Sequence, residues 1–457
     1  MANFRITKGL DIKLAGAPEA FIADAPPTRQ VTIYPTEYVG IKLRLKVKEG
    51  DSVKRGSPVL YDKKNPSFQV CAPAGGTIAK INFGKRRVLE SVVIDVASPE
   101  QAESFKKYAP DQLLSIDRAT LLEHLQTTGL LALIQSRPFS RMANAGQKPK
   151  SIFVNGMNTA PYHPDVNTVL LGHEQAFQAG LNALSRLTDG KVHLCIDGAK
   201  QNLPALKEAR HVEIHTFTGP HPAGNTSVHI HHVDPISPGD VVWAIKAQDV
   251  VLLGQLLING EYPTQRVISL SGPGLRAGSQ RHYRTRLGAP LAGIIDGNLN
   301  NGEMRILSGD VLSGAAIPPD SSLKLLDHAI TILPEDRERH FMGWLAPGHN
   351  RLSVSRTFVS KWFGLDRKKD WSLGTNQRGE LRPMVLTGLY DRFVPMNIMT
   401  DYLVRAVLAK DADEAIALGL LETDPEDFAL CAFACPSKMD LVGIIRKGLD
   451  QVEKEGI

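Results

Sequence analysis

The chain has 457 residues, a net charge of +5 and 42% apolar residues. That length is too great for one core, so two to four domains are expected, and the ordinary apolar and charged content argues against disorder. No Lys/Arg run of the kind that tracks phosphates occurs, so nucleic acid is not an expected partner.

The most apolar stretch, residues 250–258, is about half the ~20 residues a membrane span needs. The opening residues lack the apolar core of a signal peptide. The expectation is a cytoplasmic chain whose membrane contact comes through a partner. Cys71, Cys195, Cys431 and Cys435 are the only cysteines, too few to suggest a disulfide framework.

Residues 1–100 read as a β domain: short strands at 31–34 and 91–95 stand between Gly/Pro/Asp turns. Residues 47–60 (VKEGDSVKRGSPVL) and 72–78 (APAGGTI) resemble the two halves of a biotinyl/lipoyl-like β-sandwich. Lys63 and Lys64 lie near the hairpin tip where carrier domains place a modified lysine. Their distance from Ala72 is longer than usual and no Met-Lys pair occurs, so a plain structural module is expected.

Residues 101–260 read as a Rossmann-like α/β domain. Helical spacing at 113–125 and 174–187 alternates with apolar strands at 151–156 and 191–198, the grammar of a parallel sheet with crossover helices. Residues 261–330 return to short strands at 266–270, 293–295 and 305–307, consistent with a β-grasp, SLBB-like domain. Residues 331–380 read as β-rich through 351–355, and 381–457 as a helical C-terminal domain with helix-period apolar residues at 400–409, 412–421 and 441–454. The fold class is therefore multidomain α/β plus β.

The C-terminal domain carries Pro425-Glu426-Asp427-Phe428-Ala429-Leu430-Cys431-Ala432-Phe433-Ala434-Cys435-Pro436. Bacterial ferredoxins place cluster thiolates at C-x2-C-x2-C-x3-C-P. Cys431 and Cys435 keep the last two positions, while Phe428 and Pro425, which cannot ligate iron, occupy the others. Two buried structural cysteines are the plain alternative. Residues 129–140 (GLLALIQSRPFS) sit where flavin-binding relatives of this fold carry a glycine-rich loop, yet only Gly129 remains among bulky Leu and Ile. In Asn155-Gly156-Met157-Asn158-Thr159-Ala160-Pro161, Asn158 replaces the acidic residue of an "N-G-x-E-x-x-P" segment. Together these read as a redox scaffold stripped of its cofactors.

In order along the chain, Ile6-Thr7-Lys8-Gly9-Leu10-Asp11, Glu37-Tyr38-Val39-Gly40, Asp62-Lys63-Lys64-Asn65-Pro66, Arg137-Pro138-Phe139-Ser140, Gly219-Pro220-His221-Pro222-Ala223-Gly224, Leu287-Gly288-Ala289 and Cys435-Pro436 resemble the A-subunit family of the Na+-translocating NADH:quinone oxidoreductases. That family is similar to the flavin-bearing subunit of complex I and to the C-type subunit of the Rnf complex. The resemblance implies a peripheral subunit on the cytoplasmic face of the bacterial inner membrane, docked chiefly on the membrane-embedded B-type subunit. It implies no flavin, iron–sulfur cluster or metal in this chain, those redox groups belonging to partner subunits. Ubiquinone is the implied substrate.

A quinone needs an apolar slot with a donor or two for its carbonyl oxygens. Within the resembling segments, Arg137 is the candidate charge partner, Phe139 a stacking wall, and Tyr38 a second wall and hydroxyl donor if its turn folds against the Arg137 loop. Val39, Gly40 and Pro138 flank them. A structural ion pair for Arg137 and interface packing for the two rings are the plain alternatives. A pure assembly module with no substrate site is the competing function. A cofactor-bearing Rnf-type protein is opposed by the missing ligands at 425 and 428.

His211, His215, His221, His229, His231 and His232 crowd one stretch with Glu213 and Asp234 nearby. In an extended strand His229 and His231 would share a face. No recognised ligand motif is completed, so hydrogen bonding or a partner contact is expected rather than a metal. Ser269-Leu270-Ser271-Gly272-Pro273-Gly274 fails the dinucleotide glycine spacing. Arg276, Arg281, Arg284 and Arg286 read as a solvated face or an acidic partner's surface.

Overall fold

A computed structural model describes residues 2–338, 341–343, 345–355, 357–365 and 368–456. The central layer is a seven-stranded sheet, ordered Ala2–Arg5, Glu213–Thr218, Val192–Asp197, Ser151–Gly156, Val242–Lys246, Gln135–Arg137, Arg141–Met142. The first five strands run parallel and the last two antiparallel. Parallel strands buried on both faces need continuous apolar runs, and Ile152, Phe153 and Val154 are almost wholly inaccessible.

The crossover helix Glu174–Leu184 and the helix Ala247–Asn259, which leads out of this sheet, pack closely against each other. Glycines permit the approach: a Cβ at Gly180 would stand 2.3 Å from the Val250 carbonyl oxygen, and one at Gly254 1.7 Å from that of Ala176. The apolar run at 250–258 is thus the inner helix of the core. No helix among the described residues is long and apolar enough to cross a membrane.

The N-terminal β region pairs a four-stranded sheet (Gln30–Ile33, Leu89–Val96, Gly76–Phe83, Ser52–Val53) with a three-stranded one (Leu43–Leu45, Pro58–Asp62, Gln69–Cys71). Residues before 25 leave this region. Ala2–Arg5 edges the central sheet, and Glu19–Asp24 pairs with Arg281–Arg286 in a six-stranded sheet completed by Gln265–Ser271, Ala329–Pro334, Met304–Ser308 and Ala315–Ile317. The C-terminal region is helical: Thr400–Ala409, Ala412–Ala417, Ala429–Ala434 and Leu441–Glu455.

Several expectations need correction. The helical spacing at 113–125 divides into a 3-10 turn, Gln112–Leu114, and a helix, Arg118–Thr127. Asp117 starts the helix anew by accepting the Ala119 and Thr120 amides. Residues 293–295 form not a strand but one helical turn, Ala292–Ile295, bounded by Pro290 and left-handed Gly297. Among the described residues, no strand lies between 335 and 380. At the start of 351–355, the Arg351 amide closes a turn to the Gly348 carbonyl and the Arg351 carbonyl accepts the Ser360 hydroxyl, rather than either bonding a ladder partner. His229 and His231 lie on a helix, Thr226–Val233, so they do not share a strand face.

Candidate functional site

The strand order reverses between Ser151–Gly156 and Val242–Lys246: the chain runs from the first through Val192–Asp197 to Glu213–Thr218 on one side, then returns to place the second on its other side. The carboxyl ends of such a pair open a crevice, the usual ligand position of open α/β sheets. A cavity of about 240 Å³ lies there, walled by Asn155, Asn158, Thr226, Lys246 and, from connections beside strands of the neighbouring β sheet, Asp310 and His328. A second cavity of about 180 Å³ shares Thr226, Lys246, Leu326, His328 and Glu426 and continues toward Arg137, Asp424 and Arg446. The cleft therefore runs between the α/β sheet, the six-stranded sheet and the helical region. Each cavity is below the roughly 300–1,000 Å³ of most small-molecule pockets.

The cleft walls are tightly bonded. Asn155 donates to the Gly224 carbonyl at 2.9 Å and to Thr226 Oγ1 at 3.0 Å, fixing the loop after its strand. Asp310 lies 3.5 Å from His163 Nε2 and accepts the Leu312 amide at 2.6 Å. Burial alone would raise its carboxyl, but His163, Ser313 and that amide outweigh it and hold Asp310 well below the usual carboxylate range. Beneath the cleft Asp249 and Arg266, both 1% exposed, pair at 2.5 Å and join helix Ala247–Asn259 to the six-stranded sheet. His328 stands 3.5 Å from Asp249, and burial pushes its imidazole down to about 3.

Arg137 forms one wall. It is 4% exposed, forms an ion pair with Asp424 and donates to Ser227 Oγ at 3.2 Å. Ser140 also donates to Asp424. Phe139 packs against the helical region, and its carbonyl accepts Arg446 at 2.9 Å. Tyr38 lies elsewhere. Its ring is edge-on to Phe68 in the N-terminal core and borders a cavity of about 30 Å³ with Glu37, Cys71 and Tyr262. Val39 is 51% exposed, and Gly40 turns at φ +85° with nothing near it. The structure thus brings Arg137, Pro138 and Phe139 together but places Tyr38 in a separate cavity.

The degenerate segments are packed with protein. Leu130–Leu133 is a buried 3-10 turn. Gly129 before it has φ +74°, and a Cβ there would meet the Gln69 carbonyl oxygen at 2.5 Å, so this glycine serves the turn. Cys431 and Cys435 are fully buried. Tyr390 Oη lies 2.9 Å from Cys435 Sγ, Cys431 Sγ approaches the Tyr390 carbonyl at 3.7 Å, and Phe428 fills the adjoining core. Of the histidines, His229 bonds the Ala223 carbonyl at 3.0 Å, His231 pairs with Glu422 at 2.5 Å and His232 bonds Val228 at 2.8 Å. Among the arginines read as one face, Arg284 pairs with Asp24 and Arg286 with Glu100.

Sequence reading missed Lys246, Asp249 and the Asp310–His163 pair. The first two were within reach: residues 242–246 form an apolar strand ending in Lys246 at a helix start, which places its end beside Asn155. Asp310 and His163 meet only through tertiary packing.

This arrangement defines a multidomain α/β protein with a barrel-sandwich module in front, a small β domain behind, and a narrow strand-end cleft. Family models match in the same order: "NqrA N-terminal barrel-sandwich hybrid domain" over residues 4–97, "NqrA second alpha/beta domain" over 116–262 and "NQRA C-terminal domain" over 267–318. The chain is 41% identical over 452 residues to the A-type subunit of the Na(+)-translocating NADH-quinone reductase of Histophilus somni (strain 2336), covering 99% of both chains. It is 40% identical over 453 residues to that of Yersinia pestis and 41% over 455 to that of Klebsiella pneumoniae (strain 342), covering 99% of this chain and 100% of each relative. The chain belongs to the A-subunit family of the Na(+)-translocating NADH-quinone reductases. A solved NAD+-reducing [NiFe]-hydrogenase aligns at 13% identity and a TM-score of 0.36, over 51% of this chain and 52% of that one.

Proposed function

We propose that the chain is the peripheral A-type subunit of a Na+-translocating NADH:quinone reductase. In this reading it docks on the membrane subunits, chiefly the B-type one, at the cytoplasmic face. It carries no flavin or cluster of its own, and it handles ubiquinone at the wall formed by Arg137, Pro138 and Phe139. The observation that carries its place in the complex is identity of about two residues in five along the full length of relatives with that name. The parallel sheet is read as Rossmann-like and the N-terminal module as biotinyl/lipoyl-like. The packed Leu130–Leu133 turn and the buried Cys431 and Cys435 support the cofactor-free reading.

The competing reading, an assembly module without a substrate site, is favoured by one observation: the Arg137 charge is already met by Asp424. A photoreactive ubiquinone analogue applied to the whole complex separates the two. Labelling of peptides spanning 135–141, suppressed by excess ubiquinone, supports quinone handling here. Labelling confined to membrane subunits overturns it. Membership of the complex is tested separately: omission of this chain should abolish NADH-driven quinone reduction while leaving electron transfer to a soluble artificial acceptor.

A further inference from the structure

On the central sheet, away from the cleft, His193, Glu213 and His215 come together, their nearest ligand atoms all lying within 4.8 Å of one another. Neighbouring parallel strands create the group. His193 is in register with Glu213, and His215, two residues further on, projects from the same face as Glu213. His193 Nδ1 lies 3.1 Å from His215 Nε2 and 3.6 Å from Glu213 Oε2.

We infer that this trio is a binding site for a divalent transition metal of the zinc class, held by His193 Nδ1, His215 Nε2 and Glu213 Oε2. Metal–nitrogen distances of 2.0–2.1 Å in a tetrahedron require donors about 3.3 Å apart. The His193–His215 and His193–Glu213 separations, 3.1 and 3.6 Å, straddle that value. The histidines are 5% and 7% exposed and fixed by the sheet, and His193 also lies against the Phe153 ring, 4.8 Å between centroids. Glu213 is the adjustable member. Its side chain is 43% exposed, so its carboxylate has room to turn toward His215, whose ligand atom lies within 4.8 Å. Lys191 binds the other oxygen, Oε1, and leaves Oε2 facing the histidines, the outer-sphere arrangement that orients a ligating carboxylate. Two imidazoles and one carboxylate suit Zn2+, Ni2+ or Co2+ better than the oxygen-seeking Ca2+ or Mg2+. The open side at Glu213 leaves the fourth position to water. The site links two strands of the central sheet, so bound metal stabilises the fold rather than supplying chemistry to the cleft.

The test is titration of the full-length, chelator-treated chain with ZnCl2 by calorimetry, and with CoCl2 by visible absorption. Saturable binding of one Zn2+, with the intense d–d bands of four-coordinate Co2+, is expected. His193→Ala and His215→Ala should abolish both signals. Glu213→Gln, on the rim where folding is not at risk, should weaken Zn2+ binding by more than about tenfold. His232→Ala, bonded to Val228 on another element, should bind as the parent does. Absence of saturable binding in the parent, an octahedral cobalt spectrum, or binding indifferent to Glu213→Gln would each overturn the assignment.

Discussion

Arg137 and Asp424, separated by 287 residues, form an ion pair at the meeting of the α/β sheet and the helical region. Asp424 also caps the turn Pro425–Phe428 that stands where a ferredoxin would place its first two ligands. Asp427 completes this cap through the Asp424 amide at 2.7 Å and accepts Asn225 at 2.9 Å. Burial, then the Asp424 charge, pushes the Asp427 carboxyl up to about 6. One junction of side chains thus anchors the helical region to the strand-end cleft.

Removing Asp424 leaves Arg137 buried with only the more distant Glu426, 4.0 Å away, as counter-ion. Breaking a buried pair from one side costs about 3–5 kcal/mol, whereas replacing both partners by apolar residues costs far less. Asp424→Ala should therefore lower the urea midpoint strongly, and Arg137→Met with Asp424→Leu should recover much of the loss. Additive effects in that double-mutant cycle would contradict the pairing.

The main framework was legible because its signals are local. The strand at 151–156 and the helix at 400–409 were read with the bounds they have in the structure, since apolar period and flanking turns determine both. The cleft was only half legible. Arg137 and Phe139 were singled out, but their neighbour Asp424 comes from a distant segment that no period reports. Tyr38 misled because a turn motif says nothing of which cavity its ring enters. The strand expected at 351–355 failed for a related reason: alternation is a pattern, but a strand needs a partner edge.

All four cysteines are buried and none forms a disulfide. Burial pushes the Cys71 thiol up to about 12 and raises Cys195 and Cys431 further from the thiolate range. Thiolate is the reactive form, so the folded chain should react negligibly with a thiol-specific disulfide reagent at neutral pH. All four should react in urea. Fast labelling of Cys431 in the native chain would contradict the packed C-terminal core.

In an exposed helix, Gly→Ala usually gains up to about 1 kcal/mol. Gly254→Ala should do the reverse, because its Cβ would fall 1.7 Å from the Ala176 carbonyl oxygen on the neighbouring helix. The helices must separate or bend, and a loss of more than about 2 kcal/mol is expected from overpacking alone. Unchanged or higher thermal stability of this variant would mean that the two helices are not in such close contact.

Glu37 offers a pH signature with a definite sign. Its carboxyl accepts the Leu325 amide at 2.8 Å, across the boundary between the N-terminal module and the six-stranded region. Burial, then the charge of Asp327, pushes it from 4.5 up to about 8, against the opposing pull of that amide, Lys324 and Arg266. Between those two values the folded chain holds a proton that the unfolded chain has released. Glu37 therefore contributes its full stability only below pH 4.5, and the contribution is lost as pH rises toward 8. The slope from this one group is up to about 1.4 kcal/mol per pH unit. Glu37→Gln keeps an acceptor for the Leu325 amide and removes the titration. The variant should be more stable than the parent at pH 8, and the difference should shrink toward pH 4.5. Urea denaturation across that range measures it. A difference that stays constant with pH would mean that Glu37 is ionised in the folded chain throughout.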